Sequence, residues 1–172
     1  CRSFTWFFCI AGFALLLAAC RPVARLPAGA QADAGPLPAL PATYAPVLDV
    51  ANFGAPIDNP YFPLQPGTVF VYEGQTDKGM EHGEVTVTDQ TRTILGVPTI
   101  VVHDVVTVDG KLAEDTFDWY TQDRQGNVWY FGEDAKAYEA GKPVSTTGSW
   151  EAGVSGALPG IIMPAQPAVG QA

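Results

Sequence analysis

The sequence predicts an all-β domain: an antiparallel meander that forms a curved sheet, a half-barrel or an incomplete barrel. Three observations carry this prediction. Runs of β-branched and aromatic residues recur from Thr68 to Trp150, turn residues separate these runs, and no segment between them shows a sustained 3.6-residue apolar period. Irregular Pro- and Gly-rich segments flank the meander on its N-terminal and C-terminal sides.

The N-terminal 43 residues are predicted to comprise a lipoprotein signal peptide, residues 1–19, and a tether, residues 20–43. The apolar run at 4–17 is shorter than the ~20 residues of a membrane-spanning helix and is typical of a secretory signal. The sequence LAAC, which ends at Cys20, resembles the lipobox of bacterial lipoproteins, in which the Cys is acylated and becomes the mature N-terminus. An unlipidated signal peptide with an incidental Cys is the alternative.

Lipidation of Cys20 would make the membrane a partner of this protein, because acyl chains anchor through their buried methylene groups. The Pro- and Ala-rich tether that follows would then hold the folded domain away from the membrane. The predicted location is the bacterial cell envelope, facing outward from the cytoplasm. The residue after Cys20 is Arg21 and not Asp, which favours the outer membrane in a host that has two.

Residues 44–172 are predicted to form a single β domain with a strongly acidic charge balance. From Tyr44 onward the chain has six basic and seventeen acidic residues, a net charge of −11. Such a charge disfavours nucleic acid as a partner, because the phosphate backbone is itself an anion.

The domain offers few residues for metal or covalent chemistry. The three cysteines, Cys1, Cys9 and Cys20, all precede it, so no thiol remains for a disulfide, a metal site or a nucleophile. The two histidines, His82 and His103, are far apart in sequence, and no Gly-x-Ser-x-Gly motif is present. We therefore predict no metal, no cofactor and no catalytic residue.

The first candidate site follows from the Asp109-Gly110 dipeptide, a strong signal for a two-residue hairpin turn. If Val108 pairs with Lys111 across this turn, Asp104 faces Asp115 on an otherwise apolar sheet face. Like charges so placed must share a proton, meet a cation or reach solvent. The pair could be a polar anchor in a ligand cavity or a proton or metal site. Alternatively, Arg92 or Arg124 neutralises it, or a bulge moves one acid outward.

The second candidate site is the aromatic-rich hairpin FDWYTQDRQGNVWYFGED, residues 117–134. Pairing of Gln122 with Asn127 would divide its aromatic side chains between the two faces of the sheet. The outer set needs a cover, either from the Pro-rich segments at 44–66 and 156–168 or from a ligand. The predicted inner, ligand-binding set is Phe117, Trp119 and Tyr130, and the predicted outer, interaction-surface set is Tyr120, Trp129 and Phe131.

Five motifs together carry a resemblance to known sequences: NPYFPLQPGTVFVYEG, RTILGVPTIVVHD, DWYTQDRQGNVWYFGED, GSWEAG and PGIIMPAQPAVGQ. The chain from about Asn59 onward resembles a family of uncharacterised bacterial envelope and secreted proteins. The resemblance implies little about function. It also implies a further Tyr-rich strand after the position of Gln171, so that the domain is expected to be truncated at its C-terminus.

These observations favour a non-catalytic, lipid-anchored binding domain for an apolar or amphipathic small molecule, and this hypothesis depends on the inward-facing acids. One alternative is a hydrolase-like or metal-dependent enzyme that uses Asp104 and Asp115. The other is a structural or assembly module that binds another envelope protein through its outer aromatic side chains.

Overall fold

The structure is a computed structural model that describes residues 44–170, except for the side chain of Ala55. The predicted signal peptide, the acylated Cys20 and the tether lie outside the described residues, and so do the last two residues of the predicted domain.

The regular structure of the described residues consists of nine β-strands and one short 3-10 helix. The short 3-10 helix Val50–Asn52 precedes the strands, and the side chain of its N-cap residue Asp49 accepts a hydrogen bond from the backbone N–H of Ala51. The strands are β1 Phe53–Ala55, β2 Val69–Thr76, β3 Gly79–Ile94, β4 Val97–Val108, β5 Lys111–Asp123, β6 Val128–Glu139, β7 Lys142–Ser145, β8 Trp150–Glu151 and β9 Gly160–Met163.

The strands form one antiparallel sheet that does not close into a barrel. Strands β2 to β7 are neighbours in sequence order, as in a meander, while β1 pairs with β5 and both β8 and β9 pair with β6. The prediction of an all-β meander in an open or incomplete barrel is therefore confirmed. Within residues 44–170, no helix has the length and apolar character needed to cross a membrane.

The turn between β4 and β5 has the conformation that its sequence predicts. Asp109 has a φ of 49° and Gly110 a φ of 72°, which is the pair of positive angles that a type I′ turn requires. The Asp109 carboxylate also accepts a hydrogen bond from the backbone N–H of Met80, at 3.0 Å. The turn thus fastens the β4–β5 hairpin to the neighbouring turn between β2 and β3.

Each face of the sheet packs against its own apolar cluster. Because side chains alternate along a strand, neighbouring residues such as Val101 and Val102 belong to different clusters. We call the side that carries Val102 the cavity face and the side that carries Val101 the opposite face. The buried cluster of the cavity face is Ile57, Leu64, Val87, Val102 and Val128; that of the opposite face is Ile94, Val97, Val101, Trp119, Phe131 and Ala152.

The segment before β2 covers aromatic side chains on both faces. Phe53 packs edge-on against Trp129 and Phe131, with ring centroids 5.8 and 5.9 Å apart. Phe62 packs edge-on against Tyr120 at 5.5 Å. Of the two covers considered for the aromatic hairpin, the chain's own segment at 44–66 therefore supplies one for these rings, and β9 adds a strand beside Trp129.

Candidate functional site

A cavity of about 290 Å³ lies on the cavity face, between strands β2 to β5 and the loop that precedes β2. Its walls are aromatic and aliphatic, and its only acidic lining residues are Asp104 and Asp118. The walls are formed by Phe62, Leu64, Phe70, Tyr72, Val102 and Tyr120.

Strand alternation places these side chains together. Phe70 and Tyr72 lie two residues apart on β2, as do Asp118 and Tyr120 on β5, so each pair points to one side of the sheet. Val102 on β4 lies opposite Asp118 on β5, so the side chains of these two strands share the same face. The two acids, Asp104 and Asp118, are therefore diagonal neighbours across β4 and β5.

Buried amide side chains hold the loop over the cavity. Gln122 is buried, and its side-chain oxygen accepts hydrogen bonds from the backbone N–H groups of Asp58 and Asn59, at 3.1 and 2.9 Å. Asn59 donates in turn to the carbonyl groups of Gly126 and Pro164. These bonds satisfy backbone groups that have no strand partner, and they keep Phe62 against the sheet.

Asp104 contributes a carboxylate whose Oδ1 atom is buried and has no hydrogen-bond partner in the described part of the chain. The hydroxyl of Thr116, which lies opposite it, donates to Glu114 instead, at 2.9 Å. Burial raises the pKa of Asp104, the charge of Glu114 raises it further, and His103 lowers it. This carboxylate therefore pays a desolvation cost that no donor within the cavity offsets.

Asp118 is the more deeply placed acid, with 8 % of its surface exposed. Its Oδ1 atom accepts a hydrogen bond from the Tyr130 hydroxyl at 2.5 Å. Burial raises the pKa of Asp118 to about 6, against the effect of this hydrogen bond and with the nearby acids Glu133, Asp104 and Glu114 adding to the rise. The group thus changes charge near neutral pH.

Tyr120 and Tyr130 form a stacked pair beside the acids, with ring centroids 4.7 Å apart and ring planes inclined by 16°. Burial raises the pKa of both phenols above the ordinary value, and Asp118 contributes to the rise in each case. The two phenols are therefore neutral at physiological pH, where they act as hydrogen-bond donors and aromatic surfaces.

The predicted pairing of Asp104 with Asp115 is wrong. In β4–β5 the register begins as expected, with Val108 opposite Lys111, but a bulge follows between Val106 and Thr107. Ala113 is the extra residue, and it moves every later residue of β5 to the other side of the sheet. Asp104 consequently faces Thr116, as in the alternative in which a bulge moves one acid outward.

Asp115 lies on the opposite face with different partners. Its carboxylate is 2.7 Å from Nε2 of His103, and the His103 ring stacks on Phe117 at 4.3 Å. The predicted ligand-binding residues Asp115, Phe117 and Trp119 therefore lie outside the cavity. The enzyme alternative based on Asp104 and Asp115 loses its geometric basis, because the sheet separates the two acids.

The predicted division of the aromatic side chains is also wrong. Gln122 pairs with Val128 and not with Asn127, and Phe131 is a bulged residue between Tyr130 and Gly132. Tyr130 therefore joins Tyr120 on the cavity face, whereas Phe131 is completely buried on the opposite face. The predicted interaction set of Tyr120, Trp129 and Phe131 does not form one surface.

The carboxylate of Asp123 explains the longer turn between β5 and β6. It accepts hydrogen bonds from the backbone N–H groups of Gln125 and Asn127, at 3.0 and 2.9 Å. It also accepts from the indole N–H of Trp129 at 2.8 Å. These bonds hold Asn127 inside the turn, so that strand pairing resumes one residue later than predicted.

Comparisons with known proteins found no match. No family model, no curated protein and no solved structure is similar to this chain.

Several residues of the cavity were not predicted from the sequence. Asp118, Phe70, Tyr72 and Phe62 line it, and only Asp104, Tyr120 and, through its hydrogen bond to Asp118, Tyr130 were among the predicted residues. The alternation of Asp118 with Tyr120 is visible in the sequence and marks a shared face. It does not reveal which face, since that depends on the two bulges.

Proposed function

We propose that this protein is a lipid-anchored, non-catalytic binding domain of the bacterial envelope whose cavity holds an apolar or amphipathic small molecule. The observation that carries the proposal is the cavity of about 290 Å³ with apolar walls and two acids. Ligand sites in proteins typically combine apolar walls with a few convergent polar groups. The proposal no longer depends on Asp115, because Asp118 takes its place beside Asp104.

The cavity walls are held in place before any ligand binds. Hydrogen bonds from Gln122 and Asn59 fasten the covering loop, and Phe62 rests on Tyr120. A preformed cavity binds more tightly than one that must be ordered by its ligand, since less conformational entropy is lost. This rigidity supports a binding role.

Filling the cavity tests this function. Val85 lines the cavity, so we expect Val85→Phe to weaken binding of the neutral apolar probe N-phenyl-1-naphthylamine by about ten-fold or more, which corresponds to ~1.4 kcal/mol. Fluorescence titration measures the affinity, and circular dichroism checks that the variant is folded.

The matched control is Val105→Phe. Val105 lies on β4 opposite Asp115, hence on the opposite face, and it is half-buried like Val85. This variant should bind the probe as the unmodified protein does. Equal binding by both variants, or no binding by the unmodified protein, would contradict the proposed function.

A further inference from the structure

The charged side chains of the described residues are distributed unequally between the two faces. Four close acid–base pairs are present in residues 44–170, and strand alternation places all of them on the opposite face. Asp115 and Asp134, for example, flank Phe117 on that side. The pairs are His82 with Glu73, Arg92 with Glu151, His103 with Asp115, and Lys136 with Asp134.

The cavity face shows the reverse arrangement. Asp104 and Asp118 line the cavity, and none of its lining residues is basic. The charges that act on Asp118 are those of further acids, namely Glu133, Asp104 and Glu114. Asp118 is buried and has the Tyr130 hydroxyl as its donor, whereas Asp104 is half-buried with one oxygen fully buried. Because no lining residue supplies a cation, and a buried anion without one is destabilising, the cavity has an unmet requirement for positive charge.

Asp104 shows where in the cavity a positively charged donor is needed. One of its carboxylate oxygens is buried and accepts no hydrogen bond from any described residue. The donor nearest in the register, the Thr116 hydroxyl, is already bonded to Glu114. A donor supplied by a ligand would satisfy this oxygen, and a charged donor would form the stronger bond.

The aromatic walls also favour a ligand that carries a positive charge. Phe62, Phe70, Tyr72 and Tyr120 present rings to the cavity, and the electron-rich face of a ring attracts a cation. Aromatic rings beside a carboxylate also favour an organic cation over a strongly hydrated inorganic ion, because the rings bind its apolar part.

We propose that the ligand of this cavity is a small organic cation, an apolar body that carries an ammonium group, with its charged nitrogen placed against Asp104 and Asp118. This inference rests on the proposed binding function and narrows it. The aromatic side chains hold the apolar body, and the two carboxylates select its charge.

A pair of probes with the same shape and different charge tests the inference. The ammonium form of 2-phenylpropan-2-amine and tert-butylbenzene differ in one substituent, NH3+ or CH3, and therefore in charge and in the ability to donate a hydrogen bond to Asp104. We expect the unmodified protein to bind the ammonium compound at least about ten-fold more tightly than the neutral one, from the combined cation–π and charge-assisted contacts. Chemical-shift titration measures both affinities.

Removal of the acids should abolish this preference. In the double variant Asp104→Asn and Asp118→Asn, the ammonium probe should lose about ten-fold or more in affinity, while tert-butylbenzene binds as before. The control Asp134→Asn removes one charge from the opposite face and should leave both affinities unchanged.

The outcomes separate this inference from the proposed function. Equal affinities of the two probes for the unmodified protein would overturn the cationic ligand and leave apolar binding intact. Failure of both probes and of N-phenyl-1-naphthylamine to bind would overturn the binding function as well. The comparison of probes needs no variant, so it remains decisive even where a substitution prevents folding.

Discussion

At the residue scale, Asp118 has surroundings that oppose its charge. It is almost completely buried, three other acids act on it, and burial raises its pKa to about 6. The Tyr130 hydroxyl donates the one hydrogen bond that favours its ionised form. An ionisable group that is kept in a cavity against the cost of its burial is typical of functional sites.

The charge of Asp118 should lower stability as pH rises. Its pKa in the folded protein, about 6, lies above the ordinary 3.8, so between these values the folded state holds a proton that the unfolded chain has released. Asp118 therefore contributes fully to the free energy of unfolding below about pH 4. This contribution is lost as the pH rises through 6. At pH 7 Asp118→Asn should raise the free energy of unfolding by up to about 3 kcal/mol.

Urea denaturation at pH 7 and at pH 4 measures this effect. The gain from Asp118→Asn should shrink to less than about 1 kcal/mol at pH 4, where Asp118 is neutral in the folded state and only about half ionised in the unfolded chain. The half-exposed Asp134 provides the control, because a surface ion pair contributes at most about 1 kcal/mol. A gain that is the same at both pH values would show that burial of charge is not its cause.

At the element scale, bulges decide which residues share a face. The register of β4–β5 shifts after Thr107 and that of β5–β6 after Tyr120. Each shift moves the following residues to the other side of the sheet. The turn types, by contrast, follow from local sequence, because Asp109-Gly110 and the Asp123 turn are specified by the residues that form them.

The bulge in β6 depends on Gly132. Its φ is 138°, and a Cβ atom at this position would lie 2.3 Å from the carbonyl oxygen of Trp150. The strand β8 approaches β6 at this point, and neither backbone can move without loss of pairing. Only glycine therefore fits here.

Substitution of two glycines should separate the steric effect from the conformational one. Gly110→Ala places a Cβ in open space, so it should cost only the ~1 kcal/mol of a positive φ. Gly132→Ala adds a backbone clash and should lower the free energy of unfolding by more than about 2 kcal/mol. Thermal and urea denaturation measure both; similar losses would mean that β8 does not pack against β6 as described.

At the scale of the whole molecule, an open sheet must cover both of its faces. Residues before β2 perform this task, with Phe53 on the opposite face and Phe62 on the cavity face. On the opposite face, Phe53 packs against Phe131, which is completely buried. The cover of the cavity face leaves about 290 Å³ unfilled, and this space is the candidate site.

The predicted lipid anchor also belongs to this scale. Expressed in a bacterial host with a radiolabelled fatty acid, the protein should incorporate label and sediment with membranes. Cys20→Ser should abolish the incorporation, because the acyl chains attach to the thiol. Cys9→Ser, within the predicted signal peptide, is the control. Labelling that persists in Cys20→Ser would contradict the predicted anchor.

By itself, the sequence determined the all-β class, the meander order and the turns at Asp109-Gly110 and near Asp123. These features depend on short-range alternation and on residues that favour positive φ. It also predicted Asp104 as a ligand-binding residue, but it assigned Tyr120 to the interaction surface on the other face.

Only the tertiary structure decided which acid accompanies Asp104. A single bulged residue, Ala113, brings Asp118 to the cavity in place of Asp115. The bulged residue Phe131 likewise brings Tyr130 to the cavity face and lies itself on the opposite face. Neither residue has a marked local preference for such a conformation. The bulges form where the packing of distant segments, such as β8 against Gly132, makes the shifted register the better packed one.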